Sequence, residues 1–226
     1  MSWITESAKR GSELRKHYTM HDIEIFIKDP LPPVIDADFI FKYIASILPA
    51  YLMTEVDIVY VGQFEDLKKR EVNAIFEDGA IFVTNEQSSE MDLIDDIVHE
   101  IAHSIEKKYV DRIYGDGSLE REFKRKRRKL YDTLKQKGKN PPPELITNIH
   151  YSQAVDDYFF RVVGYSVLGQ ISAFEKLFTG PYSATSIREY FATGFDQYFL
   201  GEEMLVRNFS PALYKILAEL SSLEEQ

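Results

Sequence analysis

The chain has 226 residues, 44% of them apolar, with 37 acidic against 27 basic side chains and a formal net charge of -10. This length supports one large domain or two small lobes, and the acidic balance disfavours generic binding to nucleic acid or anionic membrane, which needs clustered Lys and Arg. Cysteine is absent, so no disulfide forms, any metal site must use His, Asp or Glu, and an intracellular protein fits.

Met1 to Met20 mixes charged and apolar residues without the continuous apolar run of a secretory signal. No stretch approaches the ~18 apolar residues of a membrane span. The expectation is a soluble, cytoplasmic protein, although signal-independent export leaves no such mark. Residues 4–17 form a polar helix candidate. Ile23, Ile25 and Ile27 alternate within Asp22–Lys28 and predict a strand. After the breaker Asp29-Pro30-Leu31-Pro32-Pro33, a helix is expected over Asp36–Leu48, with Phe39, Ile40, Tyr43, Ile44 and Ile47 on one side. Val56–Val61 predicts a strand. Val72–Phe76 and Ala80–Asn85 flank Glu77-Asp78-Gly79 and predict a hairpin.

From Ser89 the pattern turns helical. Met91–Lys108 carries Ile94, Ile97, Val98, Ile101, Ala102 and Ile105 at spacings of three and four. A charged helix over Leu119–Lys137 ends at Gly138 and the prolines Pro141–Pro143. Glu144–Phe178 reads as largely helical with a break near Gly164 or Gly169, followed by the breaker Thr179-Gly180-Pro181. A helix over Ser186–Leu200 and a last one from Pro211 to about Leu223, capped by Ser210, complete the chain. The expected class is α+β. A small mixed α/β lobe (1–88) holds the hairpin, and a mainly helical lobe (89–226) has an inserted charged helix within about 111–150.

His99 and His103 are four residues apart on the most periodic helix. On an α-helix that is an offset of ~40° and a rise of ~6 Å. Both imidazoles then reach one tetrahedral metal ion. Glu100 is turned ~100° from His99, too far for a third ligand but within reach of a water at the metal, as a general base requires. Catalytic zinc usually takes three protein ligands and keeps one position open. His17 and His21 lie in an expected N-terminal appendage, His150 follows a proline-rich break, and no third His closely follows His103. The best third ligand is Glu189, on a helix apolar on most sides. The helix pattern alone leaves it equally readable as a solvent-facing glutamate paired with Arg188 or a lysine.

His99-Glu100-Ile101-Ala102-His103, then Glu189-Tyr190-Phe191-Ala192 with Tyr182 seven residues before Glu189, resembles the anthrax lethal factor-like metallopeptidases, a branch of the gluzincins. The likeness covers the metal helix and about twenty residues around Tyr182–Tyr198. It implies a single zincin-like catalytic domain that hydrolyses peptide bonds of a protein or peptide substrate with one Zn2+ ion. In that reading His99, His103 and Glu189 bind the ion, Glu100 acts on the zinc-bound water, and the Tyr182 phenol stabilises the oxyanion. Family members often place a carboxylate one turn after the ligand glutamate. Here that position is Thr193, so Asp95, Asp96 or Asp196 are further candidates to orient the imidazoles. The stretch between His103 and Tyr182 is longer than the family implies, and 111–178 reads as an exosite, a partner-binding lobe or a lid. In zincins a strand beside the active-site helix pairs with the substrate. Ile81, Phe82 and Val83 are the candidate edge here, with a plain structural hairpin as the alternative.

Lys124-Arg125-Lys126-Arg127-Arg128-Lys129 could mark a nucleic-acid patch, but Glu120, Glu122 and Asp132 lie among these cations, and a solvated helix is the expectation. Two alternatives stand beside the peptidase: a catalytically inactive zincin-fold binding protein, disfavoured by the intact Glu100 and Tyr182, and a nucleic-acid-associated protein using 124–129. Substrate identity and oligomeric state are left open.

Overall fold

The computed structural model describes residues 17–223, so the helix expected over 4–17 lies outside the described residues but for His17. The chain divides into two compact units after Ile105. The first is a five-stranded mixed sheet of order β1-β2-β3-β5-β4 with helices packed on it. β1 (His17–Met20) and β2 (Ile23–Ile27) form an antiparallel hairpin. Its turn holds His21 at φ 52. The residues expected to form an appendage therefore begin the sheet. Met20 is buried, and the Tyr18 ring lies 5.6 Å from that of Phe41.

Ile23, Ile25 and Ile27 face the core, as their alternation requires. The chain then forms α1 (Ala37–Ile47), whose first amides Asp38 N–H and Phe39 N–H donate to the Asp36 side chain. Ala37, Ile40, Phe41 and Ile44 are the buried face. Phe39, expected inside, is exposed and stacks on Tyr43 at 5.8 Å. β3 (Ile58–Val61) pairs in parallel with β2. After the short α2 (Glu65–Arg70), β4 (Ala74–Glu77) and β5 (Ala80–Val83) form the second hairpin. Asp78 (φ 48) and Gly79 (φ 81) are both left-handed, the turn whose twist matches two antiparallel strands. β5 also pairs in parallel with β3. It is therefore bonded on both sides, and the placing of Ile81, Phe82 and Val83 on an edge is corrected: the outer strand is β4. α3 (Glu90–Ile105) lies against β4, β5 and α1, and its Asp92 N–H donates to Ser89 Oγ at 3.2 Å. Because its apolar face needs the sheet, this helix belongs to the first unit and not to the helical lobe begun at 89.

The second unit is helical. After α4 (Val110–Tyr114) comes α5 (Ser118–Gln136), the charged helix. It is two-faced: Lys124, Arg125, Arg128 and Lys129 are exposed, as expected of a solvated helix, while the opposite face is buried. Leu119, Glu122, Phe123, Lys126, Arg127, Leu130 and Leu134 recur every three or four residues and are all buried. α6 (Glu144–Thr147) and α7 (Gln153–Asp157) lead into a π-helical turn, Tyr158–Val163. Gly164 (φ 83) breaks the run and α8 (Tyr165–Glu175) follows, with Gly169 inside it. α9 (Ile187–Gln197) is capped by Ser186 and runs into a second π-helical turn, Tyr198–Glu202, where Gly201 (φ 100) deflects the chain. α10 (Glu203–Phe209) and α11 (Pro211–Ser221) close the unit.

Ser210 does not cap α11 with its side chain. Its Oγ accepts from Lys126 Nζ at 2.7 Å, while the amides of Ala212 (2.9 Å) and Leu213 (3.3 Å) donate to the buried Glu122 carboxylate. Tyr190 Oη donates to the same carboxylate at 2.8 Å. One side chain of α5 thus satisfies the N-terminus of α11 and the phenol of α9, the partners a buried carboxylate needs.

Candidate metal centre

In the first unit Ile94, Ile97, Val98 and Ile101 fix α3 on the sheet at full burial. The helical period then leaves His99 and His103 together on an adjoining face. Both are half-buried, with ring centroids 5.0 Å apart at 81°. Glu100 is 9% exposed, and its Oε2 accepts the Phe76 N–H at 2.7 Å. That amide is available for a simple reason. Thr84 N–H donates to Asn73 O, and ladder bonds recur every second residue of an antiparallel pair. The bonded positions of β4 are therefore Ile75 and Glu77, and the Phe76 amide points out of the sheet. Nothing near Glu100 in sequence signals Phe76, which comes from a strand twenty-four residues away.

Of the residues considered for orienting the imidazoles, Asp96 accepts from Gln87 Nε2 at 2.8 Å. Burial lifts its carboxyl to about 6, with the Gln87 hydrogen bond opposing. Asp95 is exposed as a residue, yet its carboxyl is partly desolvated and raised, with the charge of His99 four residues on opposing. In the second unit Asp196 is 4% exposed. Thr193 is half-buried, and its Cγ2 is 2.9 Å from where a Cβ on Gly180 would lie.

Glu189 is half-buried in the first turn of α9, where its N–H donates to Ser186 Oγ at 3.1 Å. Around it Tyr190, Phe191 and Ala192 are fully buried. Arg188, one partner offered by the solvent-facing alternative, donates through Nε to Glu106 Oε2 at 2.6 Å. Tyr182 opens a 3-10 turn after Pro181 and is 39% exposed. Its ring lies 6.0 Å from that of Tyr165. Tyr165 Oη donates to one oxygen of Asp156, and Tyr151 Oη to the other at 2.9 Å. Desolvation, then the Asp156 hydrogen bond, lifts the Tyr151 phenol to about 12. Tyr165 is raised for the same two reasons, so both phenols stay protonated at neutral pH. This tyrosine–carboxylate array lies in the long stretch before Tyr182, whose role sequence reasoning left open.

Among the described residues one group of three or more His, Asp or Glu could hold a metal ion: His99, His103 and Glu189, with one ligand atom from each within 4.8 Å of the others. Of the six-cation run, Lys126 and Arg127 are buried at 4% and 1% exposure. Lys124 pairs with Glu120 at 2.5 Å and Lys129 with Glu175 at 2.8 Å. Among the described residues no helix is long and apolar enough to cross a membrane. Comparison with family models, curated proteins and solved structures finds no match.

Proposed function

We propose that the chain is a zinc-dependent endopeptidase of zincin-like fold, resembling the lethal factor-like gluzincins and acting on a protein substrate. The observation that carries this reading is the His99, His103 and Glu189 group. Two imidazoles and one carboxylate, without thiolate, suit zinc and leave a coordination position open. Zinc held there would supply Lewis acidity, drawing the pKa of water towards ~7 and polarising the scissile carbonyl.

The chain's own groups do the rest. The Phe76 N–H holds the Glu100 carboxylate in place through one oxygen, and this carboxylate acts as base. It takes a proton from water as the carbon–oxygen bond forms, then delivers it to the amine nitrogen as the carbon–nitrogen bond breaks. Tyr182 donates a hydrogen bond to the developing oxyanion, an interaction worth ~2.7–4 kcal/mol in comparable sites. The outward edge of β4, where Phe76 lies, offers main-chain groups to an extended substrate.

The test joins metal analysis to cleavage. Purified protein should carry about one zinc per chain and cleave members of a peptide library in a chelator-sensitive way. Glu100→Gln should keep the zinc and lose cleavage. Undiminished cleavage by Glu100→Gln would remove the assignment, as would a wild-type protein that binds no zinc.

A further inference from the structure

The basic run contains a side chain that neither solvation nor catalysis accounts for. Arg127 is the largest fully buried side chain of the described residues, at 1% exposure. Among the described residues it makes no ion pair. Its Nη1 donates to the Asn148 carbonyl and its Nη2 to the Thr185 carbonyl at 3.2 Å. The Phe123 ring lies 5.1 Å from the guanidinium carbon. Burying an uncompensated cation is costly, and an apolar residue of similar volume would fill the space at lower cost. Burial accordingly lowers the Arg127 pKa to about 10. What arginine alone provides is a rigid fork that donates to two acceptors at once.

Those two acceptors belong to segments that also meet directly, through Ile187 N–H to the Ile149 carbonyl at 2.8 Å. Thr185 in turn closes the turn of Tyr182, whose carbonyl accepts from Thr185 N–H at 2.9 Å and from Thr185 Oγ1 at 2.8 Å. The next residue, Ser186, caps Glu189. Resting on the peptidase reading above, we infer that Arg127 is a positioning residue: its buried guanidinium pins the Thr185 turn to the Asn148 segment and so sets the place of Tyr182. A lysine keeps the charge but ends in a single nitrogen on a flexible stem and loses the fork.

The experiment uses Arg127→Lys and the milder Thr185→Val, each alone and combined with Tyr182→Phe. With wild-type Tyr182, Arg127→Lys should lower kcat at least ~10-fold and Thr185→Val ~3-fold, with KM changed less than ~2-fold. In the Tyr182→Phe background either substitution should change kcat by less than ~2-fold, the non-additivity expected of groups acting through one another. Hydrogen exchange reads the clamp without any activity. The Thr185 and Ile187 amides should exchange at least ~10-fold faster in Arg127→Lys, with those of Ile81 and Val83 unchanged. Additive losses in the double variants overturn the inference, as does unchanged exchange at Thr185 and Ile187. If Arg127→Lys does not fold, Thr185→Val decides: an unchanged kcat overturns the inference. A wild-type protein without peptidase activity defeats the peptidase reading alone, and the exchange measurement then decides the role of Arg127.

Discussion

Lys126→Met should flatten the alkaline rise in stability that the wild-type protein shows. Lys126 Nζ is buried against the Tyr190 ring at 4.8 Å and the Phe178 ring at 5.7 Å and donates to Ser210. Desolvation lowers its pKa from 10.5 to about 7, with the Glu122 charge opposing. For a depressed pKa the stabilisation is fully present above the unfolded value of 10.5 and is lost as pH falls through the folded value near 7. Each unit of difference is worth ~1.4 kcal/mol. Between pH 7.5 and 9.5 wild-type stability should therefore rise by ~2.5 kcal/mol, or ~5–10 °C in Tm for a chain of this size. The window ends below the range where the tyrosines with raised pKa act. Tyr190 and Tyr165 are both shifted upwards, so their contribution is intact below the free value of ~10 and declines only above it. In Lys126→Met the slope should fall to less than ~1 kcal/mol over the window, with ~1 kcal/mol lost at all pH values for the Ser210 hydrogen bond. Thermal unfolding of both proteins at five pH values, at constant ionic strength, reads this directly. A wild-type Tm constant within ~2 °C, or equal slopes in the two proteins, would refute the reasoning.

Gly194→Ala should destabilise by ~1–3 kcal/mol, because a Cβ there would sit 2.2 Å from Leu213 Cδ2. Denaturant melts within ~0.5 kcal/mol of wild type would contradict that packing. Glu189→Ala should weaken zinc affinity at least ~100-fold in a chelator competition, beyond the ~10–100-fold typical of groups that touch only the ligands. Retained affinity would remove Glu189 from the ligand set. Tyr182→Phe should lower kcat by ~100–1000-fold with zinc content unchanged, whereas a change in KM alone would mark it as a contact residue.

The fold was legible wherever one element's own period carried the information. Ile23, Ile25 and Ile27 alternate and are buried in β2. Asp78-Gly79 marked a turn that needs two left-handed residues and has them. Periodicity failed where an element's neighbours decide its environment. Phe39 shares a helical stripe with Ile40 and Ile44 but lies beyond the part the sheet covers. The lysines and arginines of α5 read as solvated by type, yet Lys126 and Arg127 fall on the stripe of Leu119, Phe123 and Leu130, and only packing shows that acceptors await them.

The same division runs through the candidate site. By itself the sequence determined that His99 and His103 share a face and that Glu100 lies beside them, because four residues of α-helix is a local geometry. It also determined that the strands precede residue 89 and that helices follow it. Tertiary structure alone decided that β5 lies inside the sheet and β4 at its rim, that the Phe76 amide holds Glu100, and that Arg188 turns to Glu106. These are pairings between segments twenty-four and eighty-two residues apart. A one-dimensional pattern records which groups need partners, but the partner is set by which strand edges and buried carbonyls the folded chain brings near.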